Sequence, residues 1–208
     1  MRKLVNMTTL QNVFRWAKPW LTVIVIFLFL RYTGLLSAVT DLAGNTMLRT
    51  GVMNYEPEVL KKENFDYNFS IKDLEGKKID FNQYKGKVVF LNLWATWCGP
   101  CRYEMPSIQS LYRSMEGKDK IVFIMLSVDK DENRSKVARY IQDKEFSFPA
   151  YMPSGNLPTI LQEVTSIPTT FIISADGKVV SKKVGAANYD TDKFRKFLEE
   201  LASEAPAK

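Results

Sequence analysis

A chain of 208 residues, 46% hydrophobic and 25% charged, has the length of one ordinary domain plus a tail and a globular composition, not a disordered one. Its formal net charge of +6 has no long basic run behind it. Lysines sit among acids, as in Lys72-Asp73, Lys118-Asp119-Lys120 and Asp143-Lys144-Glu145, a solvated surface that argues against nucleic acid as a partner.

The first forty residues contain no acid, while Arg2, Lys3, Arg15 and Lys18 are basic. An apolar run from Trp20 to Leu30 is interrupted by Arg31 and resumes to Val39. The uninterrupted part is short for a bilayer, which takes about 20 residues, but the segment 20–39 is long enough if Arg31 snorkels. Trp16, Trp20 and Tyr32 suit a membrane interface, and the leading positive charge places the N-terminus in the cytoplasm. We therefore expect a cytoplasmic stretch at 1–19, a transmembrane anchor at 20–39, a linker at 40–64 and a folded domain at 65–208. A cleaved signal segment is the competing reading. Ser37-Ala38-Val39 and Leu42-Ala43-Gly44 are poor cleavage sites, which favours the anchor.

From Phe65 the pattern is regular. Phe65 to Ile71 alternates apolar and polar, as a half-buried strand does, and Lys78 to Phe81 follows a turn as its hairpin partner. Lys87 to Trp94 is almost wholly apolar, suiting a central strand covered on both faces. The spacing of Met105, Ile108, Leu111, Tyr112 and Met115 predicts a helix over 100–115, kinked at Pro106. Lys120 to Val128 reads as a second buried strand, and Asp131 to Glu145 as a helix capped by acids. A short strand at 148–152, a short helix at 158–164, a hairpin over 169–184 and a final helix over 190–202 complete the order. This predicts a mixed, partly parallel α/β sheet with helices on both faces.

Cys98 and Cys101 are the only cysteines, and the chain has no histidine. Two thiols so spaced either close a small disulfide ring or grip a metal. A zinc site takes about four ligands and this pair supplies two, so zinc would need carboxylates or a second chain. A static disulfide closing so short a loop would add little stability. The position points elsewhere. Cys98 follows a central strand directly and Cys101 falls in the first turn of the helix after it. Unpaired N–H groups and the helix dipole favour an anion there, so the Cys98 thiol pKa is expected to fall. Cys101, one turn in and more buried, would attack the mixed disulfide that Cys98 forms, giving two-electron thiol–disulfide exchange.

The run Asn92-Leu93-Trp94-Ala95-Thr96-Trp97-Cys98-Gly99-Pro100-Cys101-Arg102, followed by Glu104-Met105-Pro106, resembles the thioredoxin superfamily. More narrowly it is similar to the TlpA/ResA-like membrane-anchored thiol–disulfide oxidoreductases. Ser166-Ile167-Pro168-Thr169-Thr170-Phe171 resembles that family's cis-proline loop, and the likeness extends over residues 65–202. It implies a thioredoxin-like fold with an N-terminal β-hairpin extension and an anchor. Cys98 would be the attacking and Cys101 the resolving cysteine. Pro168 would be cis and packed against them, and Trp97, Gly99, Pro100, Ile167 and Thr169 would face substrate. Trp94 is expected in the core.

The chain departs from thioredoxin at Asn92, where thioredoxins carry a buried proton-relaying aspartate; in the ResA-like branch a glutamate takes that role, here Glu104. Cys101 and Glu104 lie one helical turn apart. The resemblance implies no cofactor beyond the Cys98–Cys101 pair and no metal. It implies a place on the outer side of a bacterial inner membrane, with a membrane thiol–disulfide donor. Exported protein disulfides or an apocytochrome c would be the substrate. Gly99-Pro100 between the cysteines suggests a reductant. A thiol-dependent peroxidase and a redox-inert peptide-binding module are the alternatives.

Overall fold

The sequence expects its hydrophobic runs to stack as a central sheet, and the computed structural model places them so. It describes residues 7–33, 53–56 and 63–204. The chain divides into two compact units, 1–46 and 47–208.

In the first unit, α1 (Met7–Tyr32) contains the apolar run from Trp20 and has Pro19 within it. Trp20, Leu21 and the residues Val23 to Phe29 are exposed on this helix. Among the described residues, no helix is long and apolar enough to cross a membrane. Residues 34–39 of the expected anchor, and 40–52 and 57–62 of the expected linker, lie outside the described residues.

The second unit is built on a sheet in the order β1 (Glu63–Asn64), β8 (Lys178–Val184), β7 (Thr169–Ile173), β4 (Val88–Trp94), β5 (Ile121–Ser127), β6 (Ala150–Pro153), β2 (Ser70–Asp73) and β3 (Lys78–Asp80). The pairs β4–β5 and β5–β6 are parallel, and the others antiparallel. The two parallel steps are made by α2 (Gly99–Ser114) and α3 (Arg134–Asp143). A short α4 (Thr159–Gln162) and a closing α5 (Asp192–Ser203) follow.

Every residue of β4 is buried. Its alternation sends Val88, Phe90 and Trp94 into a core shared with α2, α3 and α5, and Val89, Leu91 and Leu93 into a second core on the opposite face. The second core is covered by α4, by a 3₁₀ turn at Phe81–Tyr84 and by the segment from Phe65. Trp94 is fully buried, as expected.

Three elements differ from expectation for identifiable reasons. Residues 65–69 show the two-residue alternation in burial but are not a strand. The Phe65 N–H bonds the distant Gly177 carbonyl and the Phe69 N–H the nearby Tyr67 carbonyl, so the segment makes scattered bonds instead of a ladder. What the alternation fills is an aromatic cluster in which Phe69 stacks on Phe81 at 4.3 Å. Within the expected strand, ladder pairing starts at Ser70, where β2 and β3 form the expected hairpin and β2 also joins β6.

The helix expected from Asp131 starts at Arg134, after a 3₁₀ turn, and neither element has a side-chain cap. Asp131 instead meets Lys72 at 2.7 Å. The helix ends at Asp143, and Glu145 beyond it takes φ 53°, a left-handed stop.

The third difference is Tyr55, within the expected linker. It is buried, packs edge-on against Phe194 at 4.8 Å, and its neighbour Asn54 bridges to Asn188. The folded unit therefore takes in residues ahead of Phe65.

Candidate functional site

The central strand β4 delivers the chain to the helix start. Cys98 is the N-cap residue of α2, in extended conformation (φ −83°, ψ 107°), and its sulfur accepts the Cys101 N–H at 3.2 Å. Pro100 sits in the first turn, where its missing N–H costs nothing. Cys98 and Cys101 form a disulfide with an S–S distance of 2.04 Å. Cys101 has no exposed surface, while Cys98 retains 5%. The Ile167–Pro168 bond is cis, and the Ile167 carbonyl oxygen lies 3.7 Å from Cys98 Sγ.

The residues expected at the rim are spread over a range of exposures. Trp97 is 65% exposed beside the disulfide, an unusual display for so large an apolar ring. Pro100 is exposed, and Gly99 and Ile167 are half-buried. Thr169 is wholly buried and its hydroxyl donates to the Ser166 carbonyl at 2.7 Å, holding the turn from inside.

Beneath the disulfide lies a buried polar network. Glu104, one turn beyond Cys101 on α2, is completely buried. Asn92 Nδ2 donates to its Oε1 at 2.8 Å, and the Ala187 N–H to its Oε2 at 3.2 Å. Burial penalises the charged carboxylate more than these two bonds favour it, so the Glu104 pKa is raised to about 8. Asn92 Nδ2 also donates to Thr170 Oγ1 at 2.9 Å, and the Tyr189 hydroxyl donates to the same oxygen at 2.8 Å. Burial and the nearby Glu104 push the Tyr189 phenol well above its usual pKa. The strand position that departs from thioredoxin and the helix position expected to replace it are thus in direct contact.

A second carboxylate braces the loop before the cysteines. Asp129, just past β5, is buried and accepts from Thr96 N–H, Thr96 Oγ1 and Ser127 Oγ, each at 2.8 Å. Sequence reasoning did not single out Asp129, Thr170, Ala187 or Tyr189 for the site. Only Thr170 carried a signal, its place in the proline loop. The other three are remote in sequence, and the fold alone brings them in. Among the described residues, no group of three or more His, Cys, Asp or Glu side chains could hold a metal ion.

A disulfide at the start of a helix, opposite a cis-proline loop on a mixed sheet, defines a thioredoxin-superfamily protein. A model of the AhpC/TSA family matches residues 66–182. The thiol-disulfide oxidoreductase ResA of Bacillus cereus is 42% identical over 118 residues, which are 57% of this chain and 66% of that protein, just under two thirds of its length. ResA of Halalkalibacterium halodurans is 34% identical over 138 residues, 66% of this chain and 76% of that protein.

Among solved structures, StoA from Bacillus subtilis superposes with a TM-score of 0.50 at 25% identity, covering 70% of this chain and 97% of that one. A thioredoxin-family thiol:disulfide interchange protein from Chlorobium tepidum has a TM-score of 0.52 at 24% identity, over 72% and 99% of the two chains, and shares the fold. The chain belongs to the AhpC/TSA family, as a ResA-like member of the thioredoxin superfamily.

Proposed function

We propose that the protein is a thiol–disulfide oxidoreductase that reduces disulfides of exported proteins through Cys98 and Cys101. The observation that carries this is the Cys98–Cys101 disulfide at the start of α2, with the Ile167 carbonyl 3.7 Å from Cys98 Sγ. In the reduced protein the Cys98 thiolate attacks one sulfur of the client disulfide. An S–S bond forms to Cys98 and the client's other sulfur leaves as a thiolate. Cys101 then gives up its proton and attacks Cys98 Sγ, so the internal disulfide forms and the client's second sulfur departs. Two electrons pass to the client, and the departing thiolates take up protons.

Glu104 suits the proton transfer from Cys101. Burial raises its carboxyl to about 8, out of the usual carboxylate range and toward that of thiols, which suits it to exchange a proton with one. The two motifs and the name of the ResA relatives support the reaction class. The Gly99-Pro100 dipeptide supports the reducing direction. A membrane dithiol protein would return the electrons, and an apocytochrome c is one client of the required chemistry. No cofactor beyond the cysteine pair is needed. The exposed apolar residues from Trp20 to Phe29 of α1 support a membrane-held protein, and the basic Arg15 and Lys18 ahead of them support a catalytic unit on the outer side.

A peroxidase would want the Thr96 hydroxyl turned to the Cys98 sulfur, but that hydroxyl donates to Asp129. The test is reduction of a protein disulfide by the dithiol form, together with the equilibrium potential. Each of Cys98→Ser and Cys101→Ser should abolish turnover. A potential near the roughly −270 mV of thioredoxin fits a reductant, and one near the roughly −120 mV of DsbA would reverse the direction. Peroxide consumption without disulfide reduction, or client binding retained in the doubly substituted protein with no reduction by the wild type, would overturn the reading.

A further inference from the structure

Resting on the reading of Glu104 as the proton carrier, we propose that Tyr55 is a positioning residue whose ring clamps residues 187–189 shut over the Glu104 carboxyl and keeps water from it. The two oxygens of that carboxyl face different walls. Oε1 meets Asn92 of the sheet at 2.8 Å, while Oε2 meets the Ala187 N–H, in the stretch after β8, at 3.2 Å.

Alternate residues of that stretch face alternate neighbours. The N–H groups of Ala187 and Tyr189 point to α2, the first to Glu104 and the second to Ser107 Oγ at 3.2 Å. Asn188, between them, turns its backbone to residues 53–55. Its N–H donates to the Met53 carbonyl at 2.8 Å, and its carbonyl accepts the Tyr55 N–H at 3.0 Å. The cover on Glu104 is therefore held from behind by Met53–Tyr55.

A single bridge of this kind grips little by itself, and the ring of Tyr55 supplies the hold. It lies 5.3 Å from the Tyr189 ring and 4.8 Å from that of Phe194, and its hydroxyl is hydrogen-bonded to that of Ser181 on β8. Behind it, Ala187 and Tyr189 have no exposed surface.

The direction of the effect follows. Water admitted beside Ala187 donates to Oε2 in place of the lost N–H and also ends the burial, which is the largest influence on this carboxyl. Opening the cover must therefore favour the carboxylate. No other group facing Glu104 brings a charge to oppose this. Strands β4 and β7 present neutral Asn92 and Thr170. The segment before α5 presents the Tyr189 phenol, pushed well up and so neutral, with Tyr55 behind it. The helix itself carries Cys101, tied in the disulfide. By reciprocity, ionising Glu104 favours the open cover.

The test is a titration of the Glu104 side-chain carboxyl carbon by NMR in the full chain, labelled at glutamate, with the disulfide closed so that neither cysteine titrates. Glu104→Gln assigns the signal. Tyr55→Ala should lower the Glu104 midpoint by about one pH unit or more, at least a tenfold loss of proton affinity. Tyr55→Phe, which keeps the ring, should hold the wild-type midpoint. So should Phe69→Leu, which weakens the core on the opposite face of the sheet. An unmoved midpoint in folded Tyr55→Ala overturns the proposal, as does a fall that Tyr55→Phe or Phe69→Leu shares.

If Tyr55→Ala does not fold, hydrogen exchange in the wild type decides. The Tyr55 and Ala187 amides should share one opening. Their protection, corrected for the intrinsic rate, should fall as pH rises toward 8, and should not do so in Glu104→Gln. An Ala187 amide that opens while Tyr55 stays protected, or an opening indifferent to pH, overturns the proposal. A midpoint that moves as expected, beside disulfide exchange whose pH profile Glu104→Gln leaves unchanged, would sink the proton-carrier role and leave the clamp intact.

Discussion

Glu104→Gln asks how much free energy the fold spends on keeping a carboxyl where it has no water. In the folded protein its pKa is raised from 4.5 to about 8. Between those values the unfolded chain has lost the proton and the folded one keeps it, so the folded state binds more protons and stability must fall as pH rises. The loss is absent below about pH 4.5 and complete above about pH 8. The full gap corresponds to on the order of 5 kcal/mol, an upper bound because a buried charge draws in water and relaxes its surroundings.

Glutamine never ionises, so the variant escapes this loss. It has its own cost: its amide presents a donor to the Asn92 N–H or the Ala187 N–H, leaving a buried polar group unpaired at about 1–3 kcal/mol. Urea unfolding of the disulfide form from pH 5 to pH 9 should therefore show the two stability curves crossing. The variant should be weaker at pH 5 and stronger at pH 9, and the wild type should lose up to about 1.4 kcal/mol per pH unit in between. Parallel curves would refute the claim that burial dominates at Glu104.

In the reduced protein, Cys98 caps α2, so alkylation should follow a thiol pKa well below the usual 8.5, while Cys101 stays unreactive; pH-dependent labelling with mass analysis reads both. Asp129→Ala removes the acceptor of two Thr96 bonds and one Ser127 bond, and should lower stability by about 2–3 kcal/mol and broaden the Cys98 labelling profile; unchanged melting and labelling would mean the loop holds itself. Tyr55→Ala should cost about 3 kcal/mol in urea titration, because its ring is packed between Tyr189 and Phe194; a neutral effect would return this segment to the role of a linker.

What could be read in advance followed local chemistry. The apolar runs of β4 and β5 announce strands covered twice, and the two cysteines with Glu104 are fixed by helical spacing alone. The alternation at 65–69 gave the right buried faces and the wrong backbone, since period two reports which side is covered and not who accepts the N–H groups. Acids at 131–132 looked like caps, yet Lys72, from the far hairpin, took Asp131. Tyr55, Ala187, Tyr189 and Asp129 act only through contacts made across the fold, and residue type or spacing carries no mark of those.

The difference in access between the two sulfurs has a practical corollary. A partner's sulfur has a path to Cys98 and none to Cys101, so any covalent adduct must hang from the outer sulfur. A chain with Cys101→Ser would then stall with its client still attached by one bond. Such a trapped pair, once isolated, would carry the client's own cysteine as its label.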